Sequence, residues 1–504
     1  MTDMGNLERA RAYEELNNEA GNTDGGNGLR HMRPLFHLST RIGWMNDPNG
    51  FSFYKGKYHL FYQYHPYDMH WGPMHWGHAV SNDLIGWESL PAALAPDEAY
   101  DEMGCFSGSA LTHDNGEHLL MYTGVSKDAD DGGLGIQTQC IAFGDGVNYK
   151  KYAANPVIGP DLLPDGCLAK DFRDPKIIRR SDGTYMCLAG CMGEDGNGQI
   201  LIFESQDAIS WSFKSRACVN DGRFGKMWEC PDLFMLDDKW VLLISQTDSE
   251  ESDEYKAGHC TLCLIGSFDE AAGIFNIEND MTIDGGPDFY APQTLKTDDG
   301  RRVMIGWLQS WEDCDVFSDR MKAEGYDRFG QMSVPRELFI RAGRLCQRPI
   351  RELKELRANK TEYTDVLADK DSPFSMDCSK CADISISFSP AAPGTGVGSF
   401  AIRYAISAKG YSALRYNCEK NIFSTERIYY DNDNCCGMRE IAISDIHDEI
   451  TVRFIMDINS AEIFINDGER TVSQAIYDND MQQMIITAQA PMHLDVTKYD
   501  IVMK

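Results

Sequence analysis

The sequence predicts an all-β protein. A five-bladed β-propeller is expected over residues 34–349 and a β-sandwich over 360–504, with a short helical N-terminal arm at 1–33 and a helical linker at 350–359. Three observations predict this. First, between residues 35 and 350, short apolar runs (58–64, 118–124, 184–189, 199–204, 239–245, 302–308) are split by Gly, Asn and Asp, the pattern of strands and turns. Second, polar residues in small or proline-rich settings recur at Asp47, Ser107, Asp174, Glu229 and Asp288, in steps of 60, 67, 55 and 59 residues. Near-equal units of that length fit a radial array of four-stranded blades, whose equivalent strand ends converge on one funnel. One long sandwich, or two, gives no reason for the recurrence. Third, period-two alternation dominates beyond residue 360. Val452, Phe454 and Met456 share one face, Arg453, Ile455 and Asp457 the other, and residues 461–465 run into the hairpin signal Asn466-Asp467-Gly468.

The flanking elements follow from composition. Residues 8–19 read as a short helix and 21–28 as a tether rich in Gly, Asn and Asp, together an arm outside the main core. Residues 350–358 carry a helical pattern that joins the two domains. A chain of 504 residues, 42% hydrophobic, is long enough for two large cores. A net charge of -31 repels phosphate backbones and anionic lipid, so neither nucleic acid nor membrane is an expected partner. Residues 1–11 show no secretion pattern, and no apolar run is long enough to span a membrane. With 16 cysteines, this predicts reduced thiols in a cytoplasm. Cys260-x-x-Cys263 and Cys378-x-x-Cys381 are isolated pairs among strand-like residues, a weak zinc signal. No metal and no cofactor is expected. The sandwich is a candidate homo-oligomer interface.

The stretch Trp44-Met45-Asn46-Asp47-Pro48-Asn49-Gly50 holds two chain-reversing pairs and reads as a tight turn before the aromatic run Phe51-Ser52-Phe53-Tyr54. A rigid carboxylate beside aromatic faces suits a sugar site. Arg173-Asp174-Pro175 and Glu229-Cys230-Pro231 echo it. Cleaving a glycosidic bond needs one ionised carboxylate and one carboxylic acid that keeps its proton until the leaving oxygen takes it. Asp47, short and flanked by the amides of Asn46 and Asn49, suits the nucleophile. Glu229, longer and set among Trp228, Cys230 and Pro231, suits the acid, because weakly polar neighbours disfavour its charge. Asp174, beside Arg173, suits a stabilising carboxylate. Between His65 and His78 four histidines alternate with aromatics and lack a metal-binding spacing, so they read as a sugar-stacking wall.

Taken together, these motifs resemble glycoside hydrolase family 32, the β-fructofuranosidases. The resemblance rests on Trp44–Gly50, Phe61-Tyr62-Gln63, Trp76-Gly77-His78, Phe106-Ser107-Gly108, Phe172-Arg173-Asp174-Pro175, Trp228-Glu229-Cys230-Pro231, Asp288-Phe289-Tyr290 and Pro335-Arg336-Glu337, in that order. It implies a five-bladed propeller followed by a sandwich, and retaining removal of terminal β-D-fructofuranosyl residues from sucrose and short fructo-oligosaccharides. By position it implies Asp47 as nucleophile, Glu229 as acid/base and Asp174 as transition-state stabiliser. Asn46, Gln63, Trp71, Phe106, Ser107, Arg173 and Tyr290 then line the sugar pocket. Sucrose-6-phosphate hydrolysis is the alternative within the family. Fructosyl transfer and non-catalytic fructan binding rank lower.

Overall fold

The structure is a computed structural model that describes residues 5–23, 33–252, 254–430, 436–443, 448–477 and 483–503. Among them, five sheets follow one another from Gly43 to Pro349. In each, the first strand lies innermost: Gly43–Tyr54, Gly104–Thr112, Cys167–Arg179, Trp228–Leu236 and Tyr290–Lys296. These inner strands touch in sequence, first to second and onward, and the fifth returns to the first. That closed ring is the hub of a β-propeller.

Polar side chains sew the ring together. Gly108 N donates to Asn49 Oδ1 at 3.1 Å, and Ser109 Oγ donates to Pro175 O at 2.6 Å. Asp232 Oδ2 accepts Lys176 Nζ at 2.9 Å and Thr294 N at 2.7 Å. Gln293 closes the circle, accepting from Phe51 N at 3.2 Å and donating to Gly108 O at 2.7 Å. Each bond crosses between inner strands, so buried polar atoms at the hub are satisfied only once the strands are assembled.

Several expectations change. The stretch 44–50 is not a turn: it lies in the first inner strand, with register shifts against its neighbour between Asn46 and Pro48 and between Asn49 and Ser52. Turn-forming residues make a β-bulge when sheet pairing continues on either side. The aromatic run that follows points into packing. Phe51 is in the core, Phe53 lies against Tyr58, and Tyr54 stacks on His118. His75 and His78 are also buried, His78 stacked 4.1 Å from Phe61 and within 3.0 Å of His59, so they are core residues and not a sugar wall. A helix at Cys314–Ala323, not expected from the sequence, buries Cys314, Phe317 and Met321.

The N-terminal helix, Asn6–Thr23, is not outside the core. Ala10 is fully buried, Arg11 Nε donates to Ala92 O at 2.9 Å, Ala92 N donates to Glu14 Oε2 at 3.2 Å, and Tyr13 meets Tyr67 edge-on. The tether read at 21–28 lies mostly outside the described residues. Over the expected helical linker, only Arg351–Leu356 is helical, a 3-10 turn, and a strand starts at Arg357.

The second domain is a β-sandwich of two six-stranded sheets. Val452, Phe454 and Met456 face its interior, as alternation requires. The opposite face is not solvated: Ile455 and Phe464 join a core with Phe36, Met332 and Val334 of the propeller. A buried ionic network fastens this joint. His37 sits between Asp457, at 2.8 Å, and Glu462, at 2.9 Å, with no exposed side-chain surface on any of the three. Arg336 bridges Glu462, Asp284 and Gln347, and Arg427 pairs with Asp288. Asp288 therefore faces the sandwich and is not the fifth funnel residue.

Burial alone would depress the His37 imidazole, but hydrogen bonds and charge from Asp457 and Glu462 outweigh it and push it up to about 9. Against an ordinary value of 6.5, the stability it contributes is complete below pH 6.5 and is lost as pH rises through about 9. The melting temperature should therefore fall across that window. His37→Gln should cost about 3–5 kcal/mol at pH 6.5, because two buried acids lose their partner, and should flatten that part of the profile. A wild-type profile already flat there would contradict a charged His37.

Candidate active site

One structural device builds the site. Each inner strand breaks register near its start: between Asn46 and Pro48, Phe106 and Gly108, Arg173 and Lys176, Glu229 and Asp232, and Tyr290 and Gln293. A bulge re-aims the side chain it carries. Four of the five bulges hold a proline, Pro48, Pro175, Pro231 and Pro292. Proline has no N–H to lose where the ladder is already interrupted. Asp174, Cys230 and Ala291 take positive φ angles of 65°, 49° and 49°, a strain of about 1–3 kcal/mol each that the surrounding packing must hold.

The bulges bring Asp47, Asp174 and Glu229 together at the hub. Asp47 Oδ2 accepts a 2.7 Å hydrogen bond from Ser107 Oγ, and Asp47 Oδ1 accepts from Asn46 Nδ2 at 3.1 Å. Trp44 Nε1 fixes Asn46 by donating to its Oδ1 at 2.7 Å. Asp174 Oδ2 accepts from Cys230 N at 3.0 Å. Glu229 Oε1 receives both Nε and Nη2 of Arg173, at 3.0 and 2.9 Å, while Tyr290 OH donates to Glu229 Oε2 at 2.6 Å. Arg173 is oriented in turn by Asp171 at 3.1 Å and Gln137 at 3.3 Å.

One central group carries no signal of its own in the sequence. Cys230 Sγ lies 3.6 Å from both Asp47 Oδ2 and Asp174 Oδ2 and so bridges two of the acids. Burial pushes its thiol well above the usual range, so it faces them as a neutral group. Only the fold could place it there. Glu229's chain neighbour Trp228 turns away into a separate core, because successive strand residues face opposite sides. What faces the Glu229 carboxylate is Arg173 and Tyr290, not the weakly polar neighbours expected from the sequence.

The acids interact strongly. Burial, and then the charge of Glu229, push Asp174 up to about 7 against the opposing pull of Arg173. Burial raises Asp47 as well, opposed by the Ser107 hydrogen bond and reinforced by the charge of Glu229. Burial and mutual charge thus push both Asp47 and Asp174 toward their protonated forms.

The opening is aromatic. Trp71 is 40% exposed and meets Phe106 edge-on at 5.9 Å. Gln63, buried and paired in register with Asn46, donates to Cys105 O at 3.0 Å. The loop that carries Trp71 is held from two sides. Tyr13 of the N-terminal helix contacts Tyr67, and Ser318 Oγ of the second helix donates to Met69 O at 2.6 Å. The ten residues singled out from the sequence are thus linked by contacts around the three acids. Paired acids with a cation, hydroxyl donors and an aromatic rim can perform acid-assisted displacement at a sugar carbon.

Comparison with known proteins identifies the family. Residues 37–349 match the family model for the glycosyl hydrolases family 32 N-terminal domain, and residues 352–498 match that for the family 32 C terminal. The chain is 34% identical over 471 residues to a sucrose-6-phosphate hydrolase of Escherichia coli, covering 92% of each chain. It is 32% identical over 487 residues to a raffinose invertase of Escherichia coli, covering 95% of this chain and 94% of the other. Among solved structures, a Bombyx mori GH32 β-fructofuranosidase superposes with a TM-score of 0.83 at 32% identity, covering 99% of both chains. The chain belongs to glycosyl hydrolase family 32.

Proposed function

We infer that the protein hydrolyses terminal β-D-fructofuranosyl residues from sucrose and short fructo-oligosaccharides with retention, in the cytoplasm. Each of the five sheets is then one blade, and the working boundaries are an arm at 1–33, a propeller at 34–349, a linker at 350–359 and a sandwich at 360–504. The observation that carries this reading is the opposed support of two acids. Asp47 is held by an alcohol and an amide, and Glu229 by a guanidinium and a phenol.

In this mechanism a fructosyl unit enters past Trp71 and Phe106. Asp47 attacks the anomeric carbon while Glu229, as the acid, gives its proton to the leaving oxygen. Asp174 faces the positive charge that develops on the ring. Glu229, now a base, takes a proton from water. The water oxygen bonds to the anomeric carbon, the bond to Asp47 breaks, and fructose leaves. The relatives named above act, by their names, on sucrose 6-phosphate or raffinose. The rim favours a neutral sugar. His259, edge-on to Tyr290, is already bonded to Glu312 at 3.0 Å. A phosphate arriving there meets the Glu312 carboxylate beside the ring. The cytoplasmic assignment is supported by the 14 described cysteines, all of which carry free thiols.

Glu229→Gln should lower kcat by about 10²–10⁴-fold, the usual worth of a general acid–base, and Asp47→Asn by at least as much. Ser107→Ala should cost about 10–100-fold, because a hydrogen bond to a charged group is worth about 1.5–3 kcal/mol. Full turnover in either carboxylate variant would remove these roles.

Values of kcat/KM for sucrose, sucrose 6-phosphate and 1-kestose should show sucrose and kestose turned over comparably, with no preference for the phosphate. A strong preference for sucrose 6-phosphate would assign the family alternative, and binding without turnover of any of the three would leave a fructan-binding protein. NMR of the first-released fructose should show the β-furanose. The α-anomer appearing first would establish inversion.

A further inference from the structure

Between Cys167 and Phe172 the third inner strand leaves its partner. Phe172 pairs with Cys191 and Cys167 with Gly193, so residues 168–171 stand out against the single residue Met192. This register sets Cys167 and Cys191 side by side across the strand pair, with their thiols close enough to interact, while the Cys191 thiol donates to Met192 O at 3.4 Å. Two further groups point at Cys167. Gln199 Nε2 donates to its sulfur at 3.4 Å, and the guanidinium of Arg216 stands 4.0 Å away. Arg216 is fixed by Gln199 Oε1 at 2.7 Å and by Asp165 O at 2.6 Å. Cys167 is partly exposed, whereas Cys187, Cys191 and Cys263 are sealed in cores. None of these groups touches the three acids, although Asp171, in the same protruding segment, bonds to Arg173.

We propose that Cys167 and Cys191 form a hydroperoxide-reactive dithiol, in which Cys167 is the attacking thiolate and Cys191 the resolving thiol. The surroundings divide the roles. The adjoining Cys191 thiol, with the cation of Arg216 and the Gln199 amide, outweighs burial and pulls the Cys167 thiol down to about 7. The same contact pushes Cys191 up, as do burial and the nearby carboxylate of Asp171, so Cys191 keeps its proton. The Cys167 thiolate attacks the terminal oxygen of a hydroperoxide, and the O–O bond breaks. Cys167 becomes a sulfenic acid and the alkoxide takes a proton to leave as an alcohol, or as water when the oxidant is hydrogen peroxide. Cys191 sulfur then attacks the Cys167 sulfur. The S–O bond breaks, hydroxide takes the Cys191 proton and leaves as water, and a disulfide remains. The bond pins the base of the segment that carries Asp171. A thiol reductant restores the pair.

The test treats the full-length protein with equimolar hydrogen peroxide and maps thiols by peptide mass spectrometry, with exposed Cys418 as an internal comparison. A Cys167–Cys191 cross-linked peptide should form ahead of any change at Cys418. Cys191→Ser, its folding checked by sucrose turnover in reducing buffer, should instead trap a dimedone-reactive sulfenic acid on Cys167. In the wild type, iodoacetamide alkylation of Cys167 should rise with a midpoint near pH 7, and Arg216→Gln should move that midpoint upward and slow the reaction severalfold at pH 7. Oxidation of Cys418 with Cys167 left reduced would overturn the proposal. So would a Cys167 alkylation midpoint at or above that of an ordinary thiol, about 8.5.

Discussion

Three carboxylates and one guanidinium share the hub of the propeller, and the rest of the structure answers to that charge imbalance. Two like charges about 5 Å apart at an effective dielectric near 20 repel by about 3 kcal/mol. Arg173 and the raised protonation of Asp174 relieve part of that repulsion. The remainder is carried by donors, and each comes from a different inner strand: Asn46 from the first, Ser107 from the second, Arg173 from the third, the Cys230 amide from the fourth and Tyr290 from the fifth. Ser107 reaches from the second sheet to an acid on the first, Cys230 from the fourth to the third, and Tyr290 from the fifth to the fourth. Each acid draws at least one partner from another sheet. The site exists only when the ring is closed, which makes closure a condition of activity as well as of stability.

Closure puts its demand on the seam between the fifth and first sheets. There the residues Arg328–Phe329 pair in parallel with Gly43 and Trp44, and Met332 N donates to Leu38 O at 2.8 Å. This is a short join. The sandwich reinforces it from outside. Asp457 and Glu462 grip His37, just ahead of the first inner strand, while Glu462 also holds Arg336 in the fifth sheet. Arg427 holds Asp288, two residues before the fifth inner strand begins. One domain therefore spans both sides of the other's seam. Its contacts are charged and fully buried, so removing one cation leaves a buried carboxylate short of its charge partner.

The architecture was legible because it rests on periodicity. Strand spacing, the recurrence near 60 residues and the alternation after residue 360 all survive as sheets, a ring and a sandwich. Local conformation was less legible. Asp-Pro, Asn-Gly and Cys-Pro are turn-forming in isolation, and the same residues form bulges when the ladder resumes beyond them. A local propensity cannot distinguish an ended strand from an interrupted one. The prolines still marked the right places, because both structures need a residue that forgoes a backbone donor.

The misplacement of Asp288 shows where such reading stops. Its spacing from Glu229, 59 residues, fits the recurrence, and Tyr290, at 61, fits it equally. The spacing alone does not say which of the two faces the hub. In the folded chain a fourth carboxylate at the hub would meet the three already there, with Arg173 committed to Glu229. A phenol adds no charge and donates to the acid that must pass a proton on. Asp288 turns instead to Arg427, where burial is matched by a cation and by the Ala475 amide at 2.8 Å. The period fixed which segment enters the hub. Charge balance, visible only once the acids are assembled, selected which residue of that segment faces it.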